Sequence, residues 1–353
     1  MSNTDVRIDV RAAAMADRDL IARLAFGSMA AQTLRAAVRL RVAELVGDTP
    51  RGAAAVAADA GTEPQAMARL LRALAGLGLL KEHGPDSFSV TAAGALLAPG
   101  HPESLTSFVR MFTEPAIIRA WEHLDDSVRS GEVAFDTVFG TDFFSHLAQH
   151  PELSAEFNAA MSQAVAETAA VLPYAFDFGK FSSVTDVGGG DGTLLAGVLG
   201  AHPGLSGVVL DTEQGLAGAS RTLERYGLTG RCSLVAGDFF RSVPEGSDLY
   251  LIKSVLHDWS DDQVVTILTH CRQVLPPGGL VLIVEPVLPE SVDATADAEI
   301  TYLSDLNMLV NLGGRERSRA DFAKVCRRAG LALKSVTPLA EAEPFCLIEA
   351  VAD

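Results

Sequence analysis

The chain has 353 residues, of which 48% are hydrophobic, and it carries a formal net charge of −17. This acidic balance argues against a nucleic-acid-binding protein, which needs a basic face to neutralise phosphates, and against binding to an anionic membrane surface. No apolar run approaches the ~20 residues of a membrane-spanning helix. Residues 1–20 mix both signs of charge, so no ordinary secretory signal is expected.

The four cysteines are widely spaced along the chain: Cys232, Cys271, Cys326 and Cys346. None forms a C-x-x-C pair and no cluster of histidines accompanies them, so no zinc or other metal site is predicted. Isolated cysteines of this kind are typical of reduced thiols. A cytoplasmic protein is therefore expected.

Residues 1–100 are expected to form a small, mainly helical domain. Ala53–Ala60, a break at the following glycine, and Pro64–Leu77 predict a helix-turn-helix, with the proline in the first turn of the second helix. A Gly-Pro-Asp turn between two short runs at 81–91 predicts a β-wing. The whole pattern is that of a winged helix.

A winged helix can bind DNA or mediate self-association. Residues 1–100 carry eleven basic and ten acidic residues, and the second predicted helix offers only Arg69 and Arg72 as cations. Its apolar face, which includes Met67 and Leu74, suits burial against a partner or another domain. The balance favours self-association over DNA binding.

Residues 101–180 are expected to be mostly helical and to link the first domain to the rest of the chain. The longest helix is predicted over Glu152–Leu172, where apolar residues recur at helical spacing. This stripe consists of Phe157, Met161, Val165 and Ala169. Such a stripe can form one wall of a ligand pocket, but on the pattern alone burial in the core is favoured.

From residue 181 to the end, strand-like runs alternate with helical segments. The runs are Ser183–Val187, Gly207–Asp211, Ser233–Ala236, Leu249–Lys253 and Leu280–Glu285. Continuous apolar strands separated by helices are typical of a parallel sheet covered on both faces. The last two runs, Leu331–Val336 and Phe345–Val351, are expected to pair antiparallel across a short turn. The expected fold class is α/β, with a Rossmann-like sheet at 181–353.

The most informative motif is a glycine-rich turn, DVGGGDG at 186–192, between the first predicted strand and a helix. In an open α/β sheet this turn lies at the carboxyl edge, where ligands bind. Its spacing does not match the G-x-G-x-x-G of dinucleotide sites, and no Lys-Ser/Thr follows as in a P-loop. The carboxylates of Asp186 and Asp191 favour a cationic ligand such as S-adenosylmethionine, which carries a sulfonium and an ammonium.

Two further strand ends carry polar residues. Asp211 ends the second strand and can accept hydrogen bonds from both hydroxyls of a ribose. Asp238 follows the third strand, where it can accept a hydrogen bond from an adenine amino group while Phe239 lies against the ring. Each alone has a plain structural interpretation. In series at one sheet edge, they favour an adenosine-containing cofactor.

These motifs and those that follow them resemble the small-molecule O-methyltransferases typified by plant caffeic acid O-methyltransferase and animal hydroxyindole O-methyltransferase, especially their bacterial natural-product branch. The matching blocks are DVGGGDG, VVLD, GDFF, LIKSVLHDWSDD, LPPGGLVLIVEPVLPE and LSDLNMLVNLGGRERS. The resemblance covers nearly the whole chain. It implies a class I methyltransferase sheet, an N-terminal winged-helix dimerisation domain, a homodimer, and S-adenosylmethionine as methyl donor in antibiotic or other secondary metabolism.

The resemblance also implies which residues hold the cofactor. They lie at the ends of successive strands of the sheet, on its ligand-binding edge. The resemblance implies cofactor contacts from Gly188, Asp211, Asp238, Phe239 and Lys253. The glycine-rich motif itself adds Asp186 and Gly190 to the residues expected to contact the cofactor.

His257 is the expected general base, because a phenol with a pKa of ~10 needs help to lose its proton at neutral pH. The histidine lies just past the fourth predicted strand. The family supplies two glutamates that orient it, matched here by Glu285 and Glu316. Asp258 could assist His257 or contact a ligand, but the favoured interpretation is structural, as part of the start of the next helix, where Ser260 opens a capping box.

The acceptor site is the least defined part of the prediction. Family positions that contact the acceptor match Phe157, Met161, Asn307, Met308 and Asn311, and Trp121 and Phe144 are further candidates. An apolar slot with two amides suits a flat aromatic molecule, and a phenolic hydroxyl is the expected site of methylation. Two alternatives stay open: a hydroxylase or decarboxylase that uses S-adenosylmethionine on the same scaffold, and a winged-helix regulator that senses a small molecule.

Overall fold

The computed structural model of the chain describes residues 16–292 and 296–353. They form two compact units, one ending at Thr113 and the other comprising Glu114–Asp353. Within the described ranges no helix combines the length and the apolar character needed to cross a membrane.

The first unit is mainly helical and contains a small sheet. After a helical stretch at 16–25, its helices are α1 (Gly27–Arg39), α2 (Val42–Val46), α3 (Ala53–Ala60), α4 (Pro64–Gly76), α5 (Ala92–Ala95) and α6 (Thr106–Phe112). Its strands are β1 (Arg51–Gly52), β2 (Leu80–Glu82) and β3 (Ser87–Val90), in the order β1-β3-β2. The predicted helix-turn-helix and wing are therefore confirmed. Glu63 caps α4 by accepting the N–H of Ala66.

The core of this unit gathers the apolar faces of its helices against the wing. Val56 on α3, Leu71 on α4 and Phe88 on β3 are completely buried together. The sequence suggests that Met67 and Leu74 are buried against a partner or another domain. They are instead buried in this same core. The reason is that α4 packs on α3 and on β2 of its own unit.

The second unit begins with helices and continues as alternating strands and helices. Its helices are α7 (Pro115–Trp121), α8 (Leu124–Ser130), α9 (Ala134–Phe139), α10 (Phe143–Gln149), α11 (Pro151–Ala175), α12 (Thr193–Ala201), α13 (Ala219–Arg225), α14 (Asp261–Val274), α15 (Ala296–Asn311) and α16 (Arg319–Arg328). Short 3-10 turns cover Phe178–Lys180, Gly215–Gly218 and Leu256–Asp258. The second of these turns leads directly into α13.

The strands of the second unit form one sheet. They are β4 (Ser183–Val187), β5 (Ser206–Asp211), β6 (Cys232–Ala236), β7 (Leu249–Lys253), β8 (Leu280–Leu288), β9 (Arg317–Ser318), β10 (Leu331–Pro338) and β11 (Phe345–Ala352). Their order is β10-β11-β8-β7-β4-β5-β6, with β9 beside β8. Strands β4 to β8 run parallel, whereas β11 pairs antiparallel with β8 and β10. The expected α/β class and the antiparallel end are confirmed.

Both faces of this sheet are covered, which explains the continuous apolar strands. Leu251 and Leu282 lie in one apolar cluster, while Ile252 and Ile283, the next residues of the same strands, lie in a second cluster. Because strands β4 to β8 run parallel, their carboxyl ends lie at one edge of the sheet. Polar residues that follow these strands are brought together there.

Candidate active site

His257 lies on the 3-10 turn Leu256–Asp258, directly after β7. Glu285, fully buried on the neighbouring strand β8, holds the backbone of this turn. Its Oε1 accepts the N–H groups of Val255 and Leu256 at 2.9 and 2.8 Å. One of the two predicted glutamates therefore anchors the backbone that carries the histidine.

Arg317 holds the same turn through its carbonyl groups. Its buried guanidinium donates to Leu256 O and Trp259 O, each at 2.7 Å. It also donates to Asp261 Oδ1 at 3.0 Å, and Asp261 is the first residue of α14. Sequence reasoning does not single out Arg317, although it stands beside Glu316 in the GGRERS block.

The loop before β9 packs directly against the histidine turn. A Cβ on Gly314 would lie 2.0 Å from the carbonyl oxygen of His257 and 2.5 Å from the nitrogen of Trp259. Only glycine allows the two backbones to approach so closely. This contact brings Glu316, two residues later, to the imidazole ring.

The imidazole of His257 is held among carboxylates. Nδ1 lies 3.0 Å from Glu316 Oε1, within hydrogen-bond distance, and 3.6 Å from Glu285 Oε2. Nε2 lies 3.5 Å from Asp258 Oδ1. Ser304 donates a hydrogen bond to the same Glu316 oxygen at 2.9 Å. With Nδ1–H donating to Glu316, the neutral ring has its free electron pair on Nε2.

The Asp258 carboxylate lies beside the histidine and takes no part in the cap of α14. That cap is the capping box predicted from the sequence, in which Ser260 and Gln263 bond to each other's backbone. Asp258 therefore adds a third carboxylate to the cluster around His257.

Charge in this cluster raises the pKa of His257 to about 10. Burial alone lowers that pKa, but the carboxylates of Glu285, Asp258 and Glu316 outweigh it because they favour the imidazolium. Burial raises the pKa of Asp258 to about 7, and it also raises the pKa of Glu285. The cluster therefore holds a proton firmly at neutral pH.

The same groups have the spacing of a metal site. One ligand atom each from His257, Glu285 and Glu316 lies within 4.8 Å of the others. Their hydrogen bonds already account for this arrangement: Nδ1 is bonded to Glu316, and Glu285 uses Oε1 for two backbone amides. The geometry is that of a positioned histidine.

The glycine-rich turn approaches its neighbours most closely at Gly188. A Cβ there would lie 2.6 Å from Val255 Cγ2, and φ is +75°. Gly190 donates its N–H to Asp211 Oδ2 at 2.8 Å, and Thr212 donates its N–H to Oδ1 at 2.7 Å. The hydroxyl of Thr212 donates to Oδ1 as well, at 3.3 Å. Because a carboxylate accepts about four hydrogen bonds, Asp211 keeps the capacity to bind one hydroxyl, or two when the Thr212 hydroxyl turns away.

Asp186 and Lys253 are charged groups that lie within the sheet close to this turn. Asp186 is buried, and its Oδ2 has no hydrogen-bond partner among residues 16–292 and 296–353. Burial raises its pKa to about 7, helped by the nearby charge of Asp211. Lys253 Nζ lies 4.3 Å from the centroid of the Phe345 ring, and burial lowers its pKa to about 8. An unpaired buried carboxylate suits a cationic ligand.

Asp238, by contrast, is half exposed, with 47% of its side chain accessible. Its Oδ1 accepts the N–H of Phe240 at 2.8 Å, and its Oδ2 lies 3.5 Å from Arg241 Nε. The ring of Phe239 packs edge-on against Phe240 and Trp259, with centroids 4.9 and 6.1 Å apart. Trp259 thus connects this strand end to the histidine turn.

The first group of predicted acceptor residues lies on α11. Phe157 and Met161 are half-buried, whereas the later residues of the same stripe pack against the core. Phe157 contacts Phe144, with 6.2 Å between ring centroids, and Phe144 stacks on Trp259 at 5.2 Å. The first half of the stripe therefore borders an aromatic cluster that reaches the histidine turn.

The second group lies on α15. Trp121 Nε1 donates to Asn307 Oδ1 at 3.0 Å, and Asn311 Nδ2 donates to the same oxygen at 2.9 Å. Met308 and Asn311 are buried. Ser304, one turn earlier on this helix, reaches Glu316. The helix therefore runs beside the histidine cluster.

The chain matches known protein families over most of its length. The O-methyltransferase domain matches residues 121–332, and the O-methyltransferase dimerisation domain matches residues 22–100. The chain is 44% identical over 341 residues to the O-demethylpuromycin-O-methyltransferase of Streptomyces alboniger. The aligned region covers 96% of this chain and 90% of that protein.

Solved structures are similar over nearly the whole chain as well. The structure of LaPhzM has a TM-score of 0.89 at 35% identity, covering 95% of this chain and 99% of that one. An O-methyltransferase of neocarzinostatin biosynthesis, solved in complex with S-adenosylmethionine, has a TM-score of 0.76 at 33% identity, covering 92% and 96%. The chain therefore belongs to the family of S-adenosylmethionine-dependent O-methyltransferases.

Proposed function

We propose that this protein methylates a phenolic hydroxyl of a small aromatic natural product, with His257 as the general base. The observation that carries the proposal is the hydrogen bond from His257 Nδ1 to Glu316, at 3.0 Å, which leaves Nε2 to accept a proton. The relatives support the acceptor class. One is an O-demethylpuromycin-O-methyltransferase, and the neocarzinostatin enzyme was solved with 2-hydroxy-5-methyl naphthoic acid.

The residues at the sheet edge fit S-adenosylmethionine. The unpaired carboxylate oxygen of Asp186 suits a cationic group, and a Cβ on Gly190 would meet nothing within 4 Å, so a ligand has access to the backbone there. Asp211 would hold the ribose, and Asp238 with Phe239 would hold the adenine. The full proposed set is Asp186, Gly188, Gly190, Asp211, Asp238, Phe239 and Lys253. When bound, the cofactor supplies an electrophilic methyl group on a positively charged sulfur.

His257 would take the proton of the acceptor hydroxyl on Nε2. Its pKa is raised to about 10, because the carboxylates around it outweigh the effect of burial. A phenol has a pKa of ~10 as well, so proton transfer from the phenol to the histidine is nearly balanced in the site. The acceptor oxygen thereby gains phenolate character, while Glu285 and Glu316 stabilise the imidazolium.

The acceptor would lie between α11 and α15. Phe157, Met161 and Met308 would form apolar walls for an aromatic ring, and Asn307 and Asn311 would contact its polar groups. A ring held in this way keeps the acceptor oxygen in line with the methyl group that it attacks, and this alignment is the main requirement of the displacement.

We also infer a homodimer built on the first unit. An apolar row in the N-terminal helices is 47–66% exposed: Leu20, Ile21, Leu24, Phe26 and Met29. Such a row is unfavourable in water, and the match to a dimerisation domain favours a second copy of this chain as its partner. All four cysteines are free thiols, which supports the cytoplasmic location that we infer.

A screen of phenolic acceptors with S-adenosylmethionine carrying a ¹³C-labelled methyl group tests the proposal. The product mass is expected to rise by one methylene group that contains the label. A gain of one oxygen would favour the hydroxylase alternative. If no phenol is methylated, the proposal of a phenolic acceptor is wrong.

A further inference from the structure

Asp191 belongs to the glycine-rich turn, and its carboxylate is hydrogen-bonded within the protein. Oδ1 accepts the N–H of Thr193 at 3.1 Å, and Oδ2 accepts the hydroxyl of Ser162 at 2.8 Å. The Ser162 oxygen also lies 3.3 Å from the hydroxyl oxygen of Thr193. Ser162 is a half-buried residue of α11, so its bond to Asp191 ties this helix to the glycine-rich turn.

A second bond ties the same helix to the loop that follows β5, which is called the 212–218 loop below. Asn158 Nδ2 donates to the carbonyl oxygen of Gln214 at 2.7 Å. The loop closes around the carboxylate that is proposed to bind the ribose, because a Cβ on Gly215 would lie only 2.2 Å from Asp211 Oδ1. Asn158 therefore holds the loop that surrounds this carboxylate.

The two residues of α11 that make these bonds stand next to the residues that are proposed to contact the acceptor. Asn158 follows Phe157, and Ser162 follows Met161. Residues four apart lie on one face of a helix, so the two apolar residues share one face. The two polar residues share the next face, about 100° around the helix axis. A helical turn moves as one piece, so a shift of either loop also moves the apolar wall.

The second half of α11 is fixed in a different way. A Cβ on Gly197 of α12 would lie 2.5 Å from the carbonyl oxygen of Ala169, so the two helices pack with their backbones in close contact. His202 Nε2 lies 2.8 Å from the carbonyl oxygen of Pro173, within hydrogen-bond distance. The second half of the helix is thus held by the body of the unit. The first half is bonded to the two loops at the sheet edge, so its position depends on theirs.

We propose that Asn158 and Ser162 are positioning residues that couple cofactor binding to acceptor binding. A cofactor that contacts the glycine-rich turn and Asp211 holds both loops in place, and the two bonds pass this restraint to the wall formed by Phe157 and Met161. The inference rests on the proposed function and adds an order to it, because the acceptor meets a fixed wall only after the cofactor is bound. By linkage, the acceptor strengthens cofactor binding by the same factor.

Hydrogen exchange of the full-length protein, with and without saturating S-adenosylhomocysteine, tests the coupling without an acceptor. In the wild type this ligand is expected to slow amide exchange at residues 155–163 about tenfold, the effect of one to two hydrogen bonds. The double change Asn158→Ala and Ser162→Ala removes both bonds and keeps the helix, because alanine has the highest helix propensity. The slowing at 155–163 should then fall to about threefold or less, while the ligand still slows exchange in the two loops.

Two single variants separate coupling from a structural role. Ser162→Thr keeps the hydroxyl and is expected to keep the wild-type slowing. Glu167→Ala changes an exposed residue of the same helix and is also expected to keep it. If the double variant exchanges faster at 155–163 by the same factor with and without the ligand, Asn158 and Ser162 have only a structural role and the inference is wrong.

The acceptor gives the second readout, and the probe is the phenol that is methylated fastest in the screen described above. It is expected to bind about tenfold more tightly to the protein saturated with S-adenosylhomocysteine than to the free protein. In the double variant this ratio should fall to about threefold or less, while the affinity of the free protein stays within about twofold.

The outcomes distinguish the coupling from the proposed function. A wild type in which the ligand slows exchange in the loops but not at 155–163 overturns the inference, and so does an acceptor affinity that does not respond to the ligand. A slowing that is lost in the double variant, in a protein that methylates no phenol, supports the coupling and rejects the proposed acceptor class.

Discussion

Individual carboxylates decide the protonation state of His257. Burial alone lowers the pKa of the imidazole, but Glu285, Asp258 and Glu316 together raise it to about 10. The protein without acceptor therefore holds an imidazolium at pH 7, and the neutral base becomes more abundant as the pH rises. Activity on a phenol is expected to increase through the neutral range and to level off near this pKa.

Glu316→Gln should move the acidic limb of the kcat/KM profile to lower pH. Without the negative charge beside Nδ1 the imidazolium is less stable, so the pKa of His257 should fall by about one to two units. The plateau should also fall about tenfold, because the ring loses a charged orienting partner. The control is Asp262→Asn, which removes a carboxylate that is 87% exposed and should leave the limb in place. A limb that moves to higher pH contradicts this account.

Asp211→Asn should weaken S-adenosylmethionine binding about ten- to a hundredfold. Asparagine keeps the shape but puts an amino group where the carboxylate now accepts N–H groups, from Gly190 on one oxygen and from Thr212 on the other. Calorimetry measures the affinity. Asp238→Asn is the comparison, and it should cost less because Asp238 is half exposed. An unchanged affinity in Asp211→Asn would remove Asp211 from the proposed site.

On the scale of elements, the histidine turn and the loop before β9 form one packed unit. Glu285 holds the amides of the turn, Arg317 holds its carbonyls, and Gly314 permits the backbones to touch. The sequence predicts His257 and Glu316 through the family motif. It does not predict the role of Arg317, because the carbonyls that this side chain binds lie about sixty positions earlier in the chain.

Gly314→Ala should disable catalysis while cofactor binding persists. The new Cβ would lie 2.0 Å from the His257 carbonyl oxygen, so the loop or the turn must shift. A shift of about 1 Å in a catalytic group costs on the order of a hundredfold in kcat, and overpacking costs about 1–3 kcal/mol of stability. Gly204→Ala is the control, since its Cβ meets nothing within 4 Å. A normal kcat for Gly314→Ala would show that the turn tolerates the shift.

On the scale of the whole molecule, local patterns in the sequence predict where the strands lie, but they do not predict which distant residues pair with each other. Apolar runs predict β4 to β7 to within one residue, because both faces of these strands are covered. Strand β8 continues past Glu285 because Pro286 pairs with β11 and Val287 pairs with β9. The bond between Trp121 and Asn307 joins residues 186 positions apart, and no local pattern indicates it.

The homodimer should depend on the exposed apolar row of the N-terminal helices. Ile21 and Leu24 are 66% and 60% exposed, so the double change Ile21→Glu and Leu24→Glu should leave the fold intact and yield a monomer at micromolar concentration. Tyr174→Glu, at a side chain that is 82% exposed in the second unit, is the control and should stay dimeric. Sedimentation velocity measures both. A wild-type protein that sediments as a monomer rules the dimer out.

The general base is tested most directly by the kcat of His257→Ala on a series of phenols of decreasing pKa, at several pH values. Loss of a positioned base should lower kcat about 10²- to 10⁴-fold on the least acidic phenol. The loss should shrink for more acidic phenols and at higher pH, because those acceptors ionise without help. Cofactor affinity should stay within about twofold, since the proposed cofactor contacts lie on other residues. A near-normal kcat on the least acidic phenol would show that His257 is not the base.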